Sequence, residues 1–287
     1  MSARIIDGVA LAKAIREEVT AEAAKLALQG LRPGLAVVLI GEDPASKAYV
    51  GSKEKACIEA GMHSVKVTRP ATAPESEVLD IVDQLNADPA VHGILVQLPL
   101  PKHINTEKVL NRVNPAKDVD GFHPQNVGKL VIGDPTALRP CTPYGVQQML
   151  IRSGIETRGA HAVVVGRSTI VGKPMANLLI QTGPGGDATV TVCHSKTRDI
   201  SSITRQADIL VAAIGKARFV TADMVKPGAI VIDVGINRVE GKLAGDVDFE
   251  RVREVAAWIT PVPGGVGPMT IAMLMRNTLT AAQRRRA

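Results

Sequence analysis

Tyr49 and Lys53 are the two side chains of this sequence whose types and spacing most suggest chemistry. Tyr49 is one of two tyrosines among 287 residues, and Lys53 follows it at i+4. On a helix such a pair shares one face, one turn apart. The ring can stack on a flat substrate while the amine reaches the reacting atom. A lysine that is desolvated, or that sits near another cation, loses pKa and can act as a base near neutrality. An exposed helix with solvated lysines explains the same stretch, so the partners must come from elsewhere in the chain.

The elements around this pair alternate in type. Asp7 is placed to cap a first helix, with Leu11, Ile15 and Val19 at helical spacing and Gly30 as its stop. Residues 35–40 form an aliphatic run that reads as a buried strand. The Tyr49 stretch then reads as a helix ending at Gly61, residues 64–68 as a strand, and 75–86 as a helix with Val78, Leu79, Val82 and Leu85 on one face. Residues 93–97 read as another strand, broken by Pro99 and Pro101. Strand–helix alternation predicts parallel βαβ units, whose ligands bind beyond the carboxyl ends of the strands. Gln97 stands at such an end. Residues 114–126, with Asp118, Asp120 and His123, read as a long polar loop of the kind that often carries function. Asp118 and Asp120 lack further ligands at metal-binding spacing, so no metal is expected. His123 is expected to make a structural hydrogen bond.

A second βαβ series follows. Thr142 and Pro143 predict an N-cap and a first helical residue, with the domain boundary near Pro140. A strand at 161–165 runs into Gly166, Arg167, Ser168 and Gly172, and then into a helix. A strand, a glycine turn and a helix N-terminus make a site for a phosphate, although the spacing departs from G-x-G-x-x-G. Strands at 188–192, 209–213 and 230–233 complete a Rossmann-type unit. Sites that prefer NAD place an acid at the end of the second strand. Here residues 193–198 carry Ser195, Lys196 and Arg198 and no acid. With Arg167 they suit a 2′-phosphate, hence NADP; a surface turn that is merely basic is the alternative. Residues 261–270, rich in Gly and Pro, read as a loop before a last helix at 271–281 that returns to the first domain. The expectation is an α/β protein of two domains, 1–139 plus 270–287 and a Rossmann-type 140–269.

Composition sets the outer limits. Aromatics are only 2% of the chain, so the core must be aliphatic, and platforms for stacking nucleic-acid bases are missing despite a net charge of +6. No nucleic-acid partner is expected. Part of the excess charge is the run Arg284, Arg285, Arg286, read as a solvated end. Three scattered cysteines form neither a disulfide framework nor a metal-binding pattern, and Cys141 and Cys193 read as small core residues. The N-terminus has no apolar signal region and no run reaches membrane-spanning length, so neither a membrane nor export is expected and the cytoplasm is the default compartment.

The ordered set of motifs resembles the bifunctional methylenetetrahydrofolate dehydrogenase/methenyltetrahydrofolate cyclohydrolase family. The matching segments are 49–53, 96–101, 117–124, 140–143, 166–174, 193–195, 233–237 and 261–270, which together span essentially the whole chain. The resemblance implies oxidation of 5,10-methylenetetrahydrofolate with NADP, followed by hydrolysis of the methenyl product to 10-formyltetrahydrofolate. It implies Lys53 as the base of the hydrolysis, with Gln97 orienting or sharing the proton. Tyr49 is implied to stack on the folate, Asp120 to bind the pterin N–H groups, and Pro263, Gly264 and Gly265 to lie against the substrate. Gly166, Arg167, Ser168, Ser195 and Ile236 are implied cofactor contacts, with Arg167 at the 2′-phosphate. A homodimer is also implied. Residues 183–186 look like a small insertion for this family and are expected to form a surface loop. An NADP-dependent dehydrogenase of a small non-folate substrate would explain the second domain but leave Tyr49, Lys53, Gln97 and Asp120 without roles.

Overall fold

The structure is a computed structural model and describes residues 2–286, without the side chain of Arg286. The chain forms two compact units, one of Lys13–Cys141 with the residues from Ile271 onward, the other of Thr142–Thr270 with the residues up to Ala12.

The first unit is built on a three-stranded parallel sheet with Gly34–Ile40 between His63–Arg69 and Gly93–Val96. All seven residues of the central strand are buried, as its unbroken aliphatic sequence requires. The helix Pro44–Glu59 follows that strand. Asp43 caps it by accepting from Ser46 N at 2.8 Å, Pro44 takes the first position, and Gly61 at φ 71° ends it. The helix Glu75–Ala87 buries Val78, Ile81, Val82 and Leu85. Lys117 closes its carboxyl end, donating to the carbonyls of Leu85, Asn86 and Asp88 at 2.8–2.9 Å.

The stretch expected as one long loop at 114–126 is more ordered than that. Ile94 N donates to Lys117 O at 2.7 Å, and Asp118 pairs in parallel with Ile94. A helix, Pro124–Val131, then starts inside the expected loop. His123 caps it, its Nδ1 accepting from Gln125 N at 3.1 Å. Among the described residues no helix is long and apolar enough to cross a membrane.

The second unit holds a six-stranded, all-parallel sheet in the order Arg4–Ile5, Trp258–Ile259, Ile230–Asp233, Ile209–Ala212, His161–Val165, Thr189–Cys193. The strands at either end of the chain segment, Arg4–Ile5 and Trp258–Ile259, are two residues long. They are too short to show a period in sequence and exist only through pairing. The N-terminal residues therefore join this sheet, where the sequence reading set them in the first domain. The helix Cys141–Arg152 starts two residues early and places Thr142 inside its first turn. Thr142 is thus not an N-cap; its hydroxyl meets Thr270 Oγ1 at 3.0 Å instead. The expected surface loop at 183–186 is largely packed: Gly185 and Gly186 are buried, and Gln147 donates to Gly185 O at 3.2 Å.

The last helix runs over Val266–Arg286, beginning before 271 because Pro268 fits its first turn and ending beyond 281. The expected solvated tail is thus helical. Arg284 donates to the carbonyls of Thr136 and Pro135, and Arg285 more loosely to those of Pro89 and Val91. Earlier in the helix, the buried Asn277 amide donates to Val119 O and Arg139 O, both at 2.8 Å. That bond fixes the residue next to Asp120. Asn277→Leu should cost about 2 kcal/mol through two carbonyls left without a donor. Urea unfolding of the purified variant checks this, and an unchanged midpoint would contradict it.

Candidate active site

The helix Pro44–Glu59 turns Ser46, Val50, Lys53, Ala56 and Cys57 inward. Lys53 lies on this buried stripe, only 4% exposed, while Lys47 and Lys55 point to solvent and pair with Glu42 and Glu59. The lysine-bearing helix is therefore not uniformly solvated. The Lys53 ammonium lies 4.5 Å from the centre of the Tyr49 ring and donates to Gln97 Oε1 at 3.0 Å. Gln97 in turn donates from Nε2 to Leu98 O at 2.7 Å, which fixes the orientation of its amide.

Asp120 supplies the counter-charge. The parallel pairing of Asp118 with Ile94 carries Asp120 to the same sheet end as Gln97, since the two segments run side by side in the same direction. Burial pulls the Lys53 pKa below its usual value, and the Asp120 carboxylate opposes that shift. Burial likewise lifts Asp120 above the usual carboxylate range, against the pull of Lys53. Both groups are thus driven towards their neutral forms. The Cys141 thiol is buried beside them and donates to Val119 O at 3.2 Å; burial and the Asp120 charge keep it protonated, far above the ordinary thiol range. It is a packed thiol, as its composition class suggests.

Asp118 is a brace. Its carboxylate accepts from Phe122 N, His123 N and Asn126 Nδ2 at 3.2, 2.8 and 2.9 Å, which folds the loop beyond Asp120 back on itself. Gly121 makes that turn at φ 72°, with the Arg139–Pro140 backbone so near that a Cβ would meet it at 2.6 Å. Among the described residues no cluster of three His, Cys, Asp or Glu is placed to hold a metal.

The second unit presents the residues expected at a cofactor. His161–Val165 and Thr189–Cys193 pair in register, Val165 beside Cys193. Gly166 and His194 therefore leave the sheet together, and Arg167, Ser168, Ser195, Lys196 and Arg198 all lie exposed just beyond. Gly166 packs against Ala213 O, where a Cβ would come within 2.2 Å. Ser168 Oγ accepts from Val171 N and Gly172 N at 3.1 and 3.2 Å, so it shapes the entry to the helix Gly172–Ile180. Asp199, the first acid after this strand, caps a short helix by accepting from Ser202 N. Ile236 is 60% exposed beyond the strand Ile230–Asp233, an apolar surface suited to a flat ring. Pro263 is exposed, Gly264 turns at φ 101°, and Gly265 is buried against Pro261 O. The arrangement fits a dinucleotide with an extra phosphate.

Sequence reasoning missed two buried carboxylates in this unit. Asp233 accepts from the backbone N–H groups of Gly235, Asp246 and Val247, each at 2.9 Å, and burial lifts it to about 6. Asp246 accepts from Ile214 N and Gly215 N at 2.7 and 2.8 Å. Together they knit the loops on either side of Ile236. Gly235 and Gly245 leave room for them, since a Cβ at either would lie within 2.3 Å of a carboxylate oxygen. An acid at the last residue of an aliphatic strand, with a glycine two residues on, is the signal that could have marked Asp233.

Comparisons with known proteins agree along the whole chain. Residues 6–120 match the catalytic domain, and residues 140–286 the NAD(P)-binding domain, of the tetrahydrofolate dehydrogenase/cyclohydrolase family. The bifunctional protein FolD of Bordetella avium is 62% identical over 285 residues, 99% of each chain. The bifunctional FolD methylenetetrahydrofolate dehydrogenase/cyclohydrolase of Campylobacter jejuni has a similar solved structure, with a TM-score of 0.95 and 49% identity over 99% of this chain and 100% of that one. The Trypanosoma brucei methylenetetrahydrofolate dehydrogenase-cyclohydrolase, solved in complex with NADP cofactor and an inhibitor, gives a TM-score of 0.94 and 43% identity over 100% of this chain and 99% of that one. This chain belongs to the tetrahydrofolate dehydrogenase/cyclohydrolase family.

Proposed function

We infer that the chain is a bifunctional enzyme of one-carbon folate interconversion. It oxidises 5,10-methylenetetrahydrofolate to the methenyl form with NADP+ and hydrolyses that product to 10-formyltetrahydrofolate. Family membership over the full length supports the pair of reactions. The observation that carries the assignment of residues is the buried Lys53 ammonium, held by Gln97 Oε1 at 3.0 Å beside the Tyr49 ring.

Oxidation asks the protein mainly for positioning. NADP+ supplies the hydride acceptor when bound. Gly166, Arg167, Ser168, Ser195 and Ile236 hold it, with Arg167 on the 2′-phosphate, where a planar guanidinium suits the oxygens. Tyr49 offers a face for the folate rings. Asp120 binds the pterin N–H donors, and Pro263, Gly264 and Gly265 line the substrate.

Hydrolysis needs a base. Water adds to the methenyl carbon and gives one proton to a base. The hydroxyl of the adduct then gives up its proton to become the formyl oxygen as the bond from that carbon to N5 breaks and N5 takes up a proton, so that one proton is released overall. Lys53 in its neutral form accepts the proton from water, and Gln97 holds the amine in line. Desolvation lowers the Lys53 pKa and so raises its neutral fraction at a given pH. The same burial excludes bulk water from a cationic intermediate.

The open edge of the strand Thr189–Cys193, whose Thr189 and Val192 are exposed, supports a homodimer joined through the second unit. Native mass spectrometry should then show about twice the chain mass of 30.2 kDa; a single chain at micromolar concentration would refute it. The cytoplasm fits the same reading, and a fractionation experiment that recovered the protein elsewhere would count against it.

Four kinetic outcomes test the assignments. Lys53→Met should lower the rate of methenyl hydrolysis by about 10²–10⁴-fold, while NADP-dependent oxidation of the methylene substrate falls far less; equal loss of both would refute a role specific to hydrolysis. As neutral Lys53 is the active form, the hydrolysis kcat should rise with pH and level off below the ordinary lysine range. Asp120 holds the Lys53 pKa up, so Asp120→Asn should move that rising limb to lower pH, and a shift upward would contradict the coupling. Arg167→Ala should reduce kcat/KM for NADP+ by about 10–100-fold, the worth of one charge-assisted hydrogen bond, and leave NAD+ nearly unchanged; an equal effect on both cofactors would remove Arg167 from the 2′-phosphate.

A further inference from the structure

The first unit has a second concave region that none of the residues assigned above enters. A cavity of about 450 Å³ is lined by His92, Lys117, Asn126, Lys129, Arg284 and Arg285 among others, and no Asp or Glu contributes to its wall. It lies at the amino end of the three-stranded sheet. His92 immediately precedes the strand Gly93–Val96 and Gln97 immediately follows it. The five steps from His92 to Gln97 along this parallel strand separate the two ends by roughly 16 Å. The cavity and the Lys53 site are therefore at opposite ends of the same sheet.

The polar groups there are set for an anion. His92 is 3% exposed, and its Nδ1 accepts from Gly34 N at 3.1 Å. The ring also bonds to the Ala90 backbone, so the imidazole is fixed in the wall by protein groups on its own account. Lys117 is fixed by three carbonyls, so its charge stays in the wall even though its three hydrogens are used. Arg285 makes only long contacts, 3.4 and 3.5 Å, to Pro89 O and Val91 O, which leaves much of its guanidinium uncommitted. The nearby acids are committed elsewhere: Asp88 accepts from Ala90 N and Asp134 from Thr136 N, each at 2.7 Å. Burial first, and then repulsion from the Arg285 charge, push Lys117 and His92 towards their neutral forms. An anion in the cavity relieves that repulsion.

We propose that this cavity is a binding site for a small, multiply charged phosphate compound. The largely uncommitted Arg285 guanidinium and the Lys129 ammonium, with the charges of Arg284 and Lys117 in the same wall, suit phosphoryl oxygens. The volume is in the range of small-molecule pockets and exceeds what a single phosphate needs, which favours a di- or triphosphate. Asn126 belongs to the wall and also holds Asp118, so an occupant would brace the loop that carries Asp120.

Inorganic pyrophosphate is the probe. Calorimetric titration of the full chain, saturated with NADP+ so that the cofactor site is filled and held at constant ionic strength, should show saturable binding of one pyrophosphate per chain. Lys129→Gln combined with Arg285→Gln should weaken it at least tenfold while kcat/KM for the dehydrogenase reaction without pyrophosphate stays within twofold of the parent. If the double variant loses thermal stability, Lys129→Gln alone should still weaken binding about threefold. No saturable heat with the parent, or an unchanged Kd in the variants, overturns the site. Citrate binding as tightly as pyrophosphate overturns its assignment to phosphate.

Discussion

A lysine ammonium taken out of water needs a counter-charge, a set of acceptors or the loss of its proton, because an unpaired buried ion costs several kcal/mol. Lys53 is given some of each. Gln97 accepts one hydrogen bond, the Tyr49 ring lies beneath the charge, and Asp120 supplies the opposite sign. Desolvation nevertheless outweighs attraction for both partners, since the lysine is shifted down and the carboxylic acid up. The pair is balanced between an ion pair and two neutral groups. That balance is the property a proton-transfer site requires, and a solvated lysine would not have it.

The balance holds only if the backbone carrying these groups cannot relax away. Three buried polar side chains of the first unit serve that end. Lys117 ties the segment before Asp118 to the end of the helix Glu75–Ala87, Asp118 folds the loop after Asp120, and Asn277 grips the carbonyl of Val119. Each has its hydrogen bonds made, and among the described residues no buried side-chain nitrogen or oxygen lacks a partner. Asp233 and Asp246 do the same for the loops around Ile236 in the second unit. In both units some of the groups assigned to chemistry, Gln97 in the first and Ile236 in the second, stand just beyond strand ends, and a carboxylate that takes part in no reaction fixes a loop nearby.

Much of this was legible in the sequence because it rests on local rules. Aliphatic runs gave the long strands, and the stop at Gly61 and the i+4 spacing of Tyr49 and Lys53 gave the helix and the face the pair shares. What local rules could not show was made by tertiary pairing. Arg4–Ile5 and Trp258–Ile259 are strands only because each lies beside a neighbour. Thr142 has the residue type of a cap, yet the helix starts before it because Pro143 is equally at home anywhere in a first turn. The roles of Lys117 and Asp118 were hidden for another reason. Their partners Leu85 and Asn126 lie 32 and 8 residues away, and a charged residue in a polar loop looks the same whether it holds a substrate or the chain.

The division of labour along the chain has a consequence for how the two reactions can change independently. Tyr49, Lys53, Gln97 and Asp120 all belong to the first unit, whereas Gly166, Arg167, Ser168, Ser195 and Ile236 all belong to the second. Proton transfer depends on the electrostatics within one unit, set over a few ångströms by burial. Oxidation depends in addition on a cofactor held by the other. A substitution that alters the desolvation of Lys53 therefore changes the proton-transfer step at its source, while one in the glycine turn alters cofactor binding without touching the Lys53–Asp120 balance. In the proposed assignment, binding of the folate is common to both reactions, because Tyr49 and Asp120 hold the substrate before either bond is broken. On that assignment the two activities are coupled through substrate binding and separable through chemistry, and the point of separation is the protonation state of a single buried amine.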